Sequence, residues 1–207
     1  KLEMYLHSEG AANSLDGDGV LNFQPPDDEP CDSYDYDPKN PVPTLPAMTD
    51  HRVVQKRGDV LVYTSPPLEK MIEVTGLPKL ILHVSSSARD TDFCGKLLDV
   101  FPDGRAISIG DGGIRARYRN SWEPEYLSPS EKYEIEIPLE YISYAFLPGH
   151  RIRIEVTSSN FPKFDFNHNT GKRPAEDIDL VVANNCVYHE ASMQSRLVLP
   201  VINDTEQ

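Results

Sequence analysis

Side chains able to do chemistry are plentiful in this sequence, but their spacing seldom assembles a reacting set. Asp90 and Asp92 stand two apart and could act as paired carboxylates. Two acids that close in sequence more often cap a turn. Ser85-Ser86-Ser87 offers hydroxyls just ahead of a turn, where they read as strand-end caps. A serine nucleophile needs a base and an orienting acid. The Gly-x-Ser-x-Gly elbow is missing, as are the glycine signatures of phosphate and dinucleotide loops. His7, His51, His83, His150, His168 and His189 are scattered without a His-x-x-x-His pair, so a metal site would need the fold to gather them. Asp16-Gly17-Asp18-Gly19 is similar to the start of a calcium loop. However, the position that an EF-hand fills with Glu is Pro25 here, and a hairpin turn is expected instead. Cys31, Cys94 and Cys186 are odd in number and lack a CxxC spacing, which argues against a disulfide framework or zinc knuckle. Cys94 and Cys186 fall in apolar strand patterns and read as small core residues. No catalytic, cofactor-binding or metal-ligating residue is therefore assigned. Asn203-Asp204-Thr205 is a formal glycosylation sequon.

The elements that would position such residues are strands. Period-two alternation dominates. Tyr133, Ile135, Ile137 and Leu139 alternate with polar partners across Lys132–Leu139, and Ile152, Ile154 and Val156 do so across Arg151–Thr157. Both predict strands with one wet and one dry face. Leu2–His7, Val60–Thr64, Met71–Thr75 and Arg196–Val201 are further strands. Lys79–Ser86 and Asp92–Phe101 are apolar on both faces and belong in the middle of a sheet. Turn residues separate these runs at Gly76, Pro102-Asp103-Gly104, Asp111-Gly112-Gly113 and Pro148-Gly149. Many short strands punctuated this way predict an all-β sandwich or jelly roll over residues 1–207. Helix is expected only as short turns near Leu127–Glu131 and Arg173–Asp177. Two long irregular segments remain, Phe23–Arg57 and Phe161–Pro174, and long loops on a β scaffold are where binding sits.

With 207 residues the chain can bury a core without disulfides. Its net charge of −13 repels phosphate backbones and argues against nucleic acid. No apolar run approaches the ~20 residues of a membrane span. Leu2 to Pro38 holds ten acids and no Lys or Arg, which reads as a solvated loop or as a docking face for a basic surface or cation. Arg115, Arg117 and Arg119 alternate as a solvated strand face, or pair with those acids or with another domain. Asn160, Asp165, Asn167 and Asn169 suit the tying down of an irregular loop by side-chain-to-backbone hydrogen bonds.

Three stretches carry a resemblance: SSSARDTDFCGKLLDVF from Ser85, GGIRARYRNS from Gly112, and FLPGHRIRIEVTSSNFPKFDFNHNTG from Phe146. Tyr36-Asp37-Pro38 and Pro41-Val42-Pro43-Thr44 add to it. The sequence resembles the C-terminal, non-catalytic domain of the cocaine-esterase-like (CocE/NonD) and Xaa-Pro dipeptidyl-peptidase hydrolases. That resemblance implies a jelly-roll β-sandwich of the galactose-binding-like type. It implies a partner too, an α/β-hydrolase catalytic domain of the same parent chain carrying the catalytic Ser, Asp and His. The β domain would pack on that partner, form part of the active-site wall and support a homo-oligomer. Parent enzymes cleave acyl esters or N-terminal Xaa-Pro dipeptides. Leu45, Met48, Phe161, Phe164, Phe166, Asn167 and Asn169 are the interdomain or pocket-wall residues this implies. In relatives paired glycines tend to follow the Pro-Val-Pro-Thr motif. Leu45-Pro46-Ala47 stands there instead, so this loop should take another path. The sparse, unpaired cysteines fit a cytoplasmic parent.

Two other readings compete. A carbohydrate- or ligand-binding β-sandwich module could stack sugars on Trp122, Tyr126 and Tyr133. A small autonomous enzyme is disfavoured by the missing nucleophile motif.

Overall fold

The structure, a computed structural model, describes residues 1–173 and 177–202. The Asn203 sequon lies outside them, as does the middle of the turn expected at Arg173–Asp177. Among the described residues fourteen strands run in chain order: β1 Leu2–His7, β2 Val20–Asn22, β3 Glu29–Tyr36, β4 Leu61–Thr64, β5 Ile72–Gly76, β6 Lys79–Ser86, β7 Asp92–Val100, β8 Ala106–Arg115, β9 Tyr133–Pro138, β10 Ile142–Phe146, β11 Arg151–Thr157, β12 Ala183–Glu190, β13 Met193–Gln194 and β14 Arg196–Leu199. Short 3₁₀ turns at His51–Val53 and Ala116–Tyr118 are the helical elements among the described residues. Leu127–Glu131 forms a single turn, closed by Glu131 N–H to the Ser128 carbonyl at 3.1 Å. No helix of the described residues is long and apolar enough to cross a membrane.

Hydrogen-bonded neighbours run β13-β12-β6-β14-β1-β2-β4-β11-β7-β8, with β3 on β12, β9 on β6, and β5 paired with β10 apart. Pairing is antiparallel except for one β2–β4 contact, Val20 to Thr64. The result is the expected all-β sandwich. β6 divides one edge between two partners: Lys79–Ile81 pair with β14, and Val84–Ser86 pair with β12. Its other edge carries β9.

The β6–β9 layer lies close over β7–β8, and glycine permits the approach. A Cβ on Gly95 would stand 2.7 Å from the Leu80 side chain, and one on Gly112 only 1.9 Å from the Pro138 carbonyl oxygen. Between the layers Met4, Leu6, Leu80, Leu82, Phe93, Leu97, Ile135, Ile137, Ile152 and Ile154 are buried in one apolar cluster. Full burial of each such side chain contributes ~1.5–3 kcal/mol.

The alternation of β9 behaves as expected, with Glu134 and Glu136 exposed and Ile135 and Ile137 buried. β11 departs from it. Of its supposed wet face, Arg151 is half-buried, and Arg153 and Glu155 are buried. The chain from Pro41 to Val60 folds over that face, with Val42, Val54 and Val60 as a small core of their own. The same cover explains why all nine residues of β7 are buried.

The segment Phe23–Arg57 is not irregular throughout, because β3 occupies Glu29–Tyr36. Its inward residues, Asp32, Tyr34 and Tyr36, all end in polar groups, so no apolar alternation announces the strand. β3 pairs only with β12, and that free edge accommodates Pro30. Of the ten acids between Leu2 and Pro38, Glu3, Glu29, Asp32 and Asp35 lie on β1 and β3, and the other six lie in the connections as expected of a loop. Asp16–Gly19 does turn the chain, within the connection of the antiparallel β1–β2 pair. Cys94 is buried, but Cys186 is only half-buried, because the inward set on β12 is Ala183, Asn185, Val187 and His189.

Candidate functional site

The two long loops meet and are sewn together. Phe161 N–H donates to the Val42 carbonyl at 3.0 Å, and Thr44 N–H to the Phe161 carbonyl at 2.6 Å, a short parallel bridge. Val42 N–H also reaches Ser159 Oγ at 2.8 Å. Thr44 Oγ1 donates to Asn160 at 2.9 Å and accepts from Lys163 N–H at 3.1 Å. Asn160 Nδ2 then bonds Asp111 on β8 at 3.1 Å. Lys163 Nζ spans Asp111 and Glu140 at 2.6 and 2.7 Å. Asn160 is thus a side-chain stitch between strand and loop, as its residue type suggested.

Further along, Asn167 anchors the loop in the interior. Its Nδ2 donates to Asp90 at 2.9 Å and to Asp92 at 2.7 Å. Its Oδ1 accepts Asn169 N–H at 2.9 Å, which holds Asn169 at φ +65°, a conformation Asn tolerates. Asn169 Nδ2 reaches the Val181 carbonyl at 2.7 Å. Arg115 grips Asp92 through Nε and Nη2 at 2.9 and 3.1 Å. Arg117 Nε lies 3.5 Å from Asp90, and its Nη1 donates to the Gly171 and Lys172 carbonyls. Arg119 lies by Glu125. The three arginines therefore form no solvated face and do not meet the acidic N-terminal stretch: β8 ends at Arg115, and the following 3₁₀ turn directs Arg117 inward. Burial raises both Asp90 and Asp92 above the ordinary carboxylate range, and the Asn167 and arginine contacts pull them back only in part.

Of the seven residues singled out in the sequence, Leu45 and Met48 line one recess with Thr44, Asn160 and Lys163. Leu45 is half-buried against the Val42 cluster, whereas Met48 is 77% exposed at φ +60°. Phe161 is exposed and meets Phe166 edge to face at 5.6 Å, and Phe166 in turn stacks on His168. Phe164 packs against Gly113 and lines a shallow groove with Ile114 and Tyr118. Asn167 and Asn169 are buried and tie the loop to Asp90, Asp92 and Val181, with Asn169 Oδ1 left without a hydrogen-bond partner among the described residues. Sequence reasoning did not single out Lys96, His51, Gln55 and Glu155, which lie beneath the recess. The lone signal was a Lys inside the apolar run of β7.

A second polar knot lies in the core. Asp32 accepts from Ser8 Oγ at 2.7 Å, Ala12 N–H at 2.9 Å, Tyr63 OH at 2.7 Å and His189 Nε2 at 2.8 Å. Burial alone would raise this carboxyl, but the four donors outweigh it and hold it below the ordinary range. Serine, histidine and aspartate are all present, yet the Ser8 hydroxyl meets the carboxylate rather than the imidazole. All three are buried, so the arrangement supplies no activated nucleophile. No group of three or more His, Cys, Asp or Glu among the described residues is placed to hold a metal ion.

Residues 1–198 match the family described as X-Pro dipeptidyl-peptidase C-terminal non-catalytic domain. The chain belongs to this family. As an X-Pro dipeptidyl-peptidase C-terminal non-catalytic domain it is 43% identical over 211 residues to cocaine esterase of Rhodococcus sp. (strain MB1 Bresler), covering 96% of this chain and 37% of that protein. Among solved structures it is similar to an α-amino acid ester hydrolase (TM-score 0.84, 29% identity, 97% of this chain and 36% of the other). An aminopeptidase from a marine sediment Thaumarchaeota archaeon is as near (TM-score 0.83, 29% identity, 98% and 37%). The X-Pro dipeptidyl-peptidase C-terminal domain therefore spans little more than a third of the length of these relatives. Trp122 is 95% exposed, but Arg89 covers the Tyr126 ring at 4.5 Å and Arg119 the Tyr133 ring at 4.4 Å.

Proposed function

We propose that this chain is the accessory domain of a serine hydrolase of the acyl-esterase or Xaa-Pro dipeptidyl-peptidase class. It docks on the α/β-hydrolase domain of the same parent through the Val42–Thr49 and Asn160–Phe166 loops. Leu45 and Met48 stand in the wall of the parent's active site. One observation carries the reading: within a chain of this family, the sewn loops present a 77% exposed Met48 beside a recess, with Ala47 and Phe161 also exposed on the same two loops. A rigidly held, exposed apolar residue is what a docking face or substrate wall requires.

The test is made in the full-length hydrolase. Met48→Asp should lower kcat/KM about tenfold, the loss of one good apolar contact in the transition state, with Tm unmoved. Unchanged kcat/KM would remove Met48 from the wall. The 207-residue chain alone should hydrolyse p-nitrophenyl acetate no faster than buffer. Hydrolysis abolished by a single substitution in this chain would refute the accessory role.

A further inference from the structure

Lys96 sits in the middle of β7, on the side covered by the long loops, and is 2% exposed. Its Nζ is buried and has no hydrogen-bond partner among the described residues. The Glu155 carboxylate is 3.9 Å away, beyond hydrogen-bond reach. That carboxylate is itself engaged by Gln55 Nε2 at 2.7 Å and His51 Nδ1 at 3.1 Å. An ammonium that has lost water and gained no acceptor is strongly unfavourable. Lys96 and His51 line the inner end of a recess of about 270 Å³ between the Leu45–Thr49 loop and β8. Leu45, Pro46, Ala47 and Ile109 line its flanks, and Asp111, Glu140 and Lys163 also border it.

We infer that this recess is a ligand site in which Lys96 Nζ donates a hydrogen bond to the carbonyl oxygen of a small neutral ester or amide. The charges decide against an anion. Lys96 and Lys163 face three carboxylates, those of Glu155, Asp111 and Glu140, and Arg153 lies behind Glu155, so the surroundings hold no positive excess for a further negative charge. A neutral carbonyl supplies the missing acceptor without adding charge, and the apolar flanks cover its acyl or alkyl part. The volume equals on the order of nine waters at ~30 Å³ each, enough for an acyl group of a few carbons. Its Leu45–Thr49 wall belongs to the loop proposed above to dock on the parent, but this chain alone forms the recess, and the test below uses this chain alone.

The test follows the Lys96 Nζ resonance of the intact 207-residue chain by ¹⁵N NMR during titration with N-methylacetamide and, separately, acetate. The amide should shift that resonance saturably and acetate should bind about tenfold more weakly, the scale of one charge-dependent contact. The paired change Lys96→Met with Glu155→Gln keeps the buried charge balanced. It should weaken amide binding, followed through the Gly110 amide, by about tenfold or more. Ala47→Trp, at the exposed lip, should block binding without touching the buried network, and keeps the question answerable if the paired variant fails to fold. Tighter binding of acetate than of the amide would overturn the inference. So would undiminished binding in a folded paired variant or in Ala47→Trp. Absence of any saturable shift would overturn it too, and would assign the ammonium to bridging water.

Discussion

Two buried carboxylate clusters in this sandwich are built on opposite plans. Asp32 stands alone and receives four donors, with no guanidinium among them. Asp90 and Asp92 stand together, share the amide of Asn167 and face two arginines. The cluster with two arginines is the one whose carboxyls titrate high, and the four donors that converge on Asp32 hold its carboxyl low. Burial pushes all three carboxyls up, and that push is overcome only where four donors converge on one carboxylate. The two clusters also hold different things. Asp32 locks β3, β4, β12 and the β1–β2 connection into the core. The Asp90–Asp92 pair clamps the loop that follows β11, part of the proposed docking face.

The largest effect should come from breaking the first cluster. Asp32→Ala leaves Tyr63, His189 and the Ala12 amide without their acceptor, and should cost about 3–5 kcal/mol in urea unfolding. A loss below ~1 kcal/mol would mean that water replaces the carboxylate and that the cluster is not a keystone.

Asn167→Ala should cost less, about 2 kcal/mol, because each aspartate keeps its arginine. Its signature is regional: hydrogen exchange should accelerate across residues 160–172 and stay unchanged in β3 and β12. Uniform acceleration would merge the two clusters into one cooperative unit.

Acid should separate them by sign. Asp32 has a native pKa below its unfolded value, so its contribution is complete above the ordinary carboxylate range, near pH 4, and is lost as pH falls through the native value. Asp90 and Asp92 have native values above their unfolded ones. Ionising them costs stability as pH rises through the native value, so the region regains stability as pH falls back through it. Exchange corrected for intrinsic rates should show the Arg117 amide, bonded to Asp90, better protected on mild acidification. The Ala12 amide, bonded to Asp32, should lose protection at lower pH. Parallel behaviour of the two amides would contradict the opposed shifts.

The smallest effects lie at the face itself. Thr44→Val removes the hydroxyl that joins the two loops and should cost about 1 kcal/mol. Met48→Ser should change stability by under ~0.5 kcal/mol, since the side chain is exposed. A large loss there would mean that Met48 serves the domain's own packing rather than a partner.

Much of this was legible in advance. β6 and β11 were read to the residue, and the central placement of β7 followed from apolar residues on both of its faces. The Asn-rich loop after β11 was read as held down by its own side chains, which Asn160, Asn167 and Asn169 do. β3 was missed because Asp32, Tyr34 and Tyr36 bury themselves through hydrogen bonds, and a hydrophobicity pattern registers only burial by apolarity. The outer face of β11 was misjudged for a related reason. Arg153 and Glu155 look solvated in any local window, and only a cover from about a hundred positions earlier makes them interior.

The sequence by itself determined the fold class, since alternation and turn residues are local properties, and the family, since the motifs from Ser85 and from Phe146 are contiguous. It also placed the two long loops. Only the tertiary structure decided that those loops are sewn to each other, that Asp32 and Asp90–Asp92 sit in separate clusters, and that Lys96 ends at a recess with its ammonium unanswered. Each of these depends on side chains far apart in the chain converging where water is excluded, and no local pattern records which distant groups will meet.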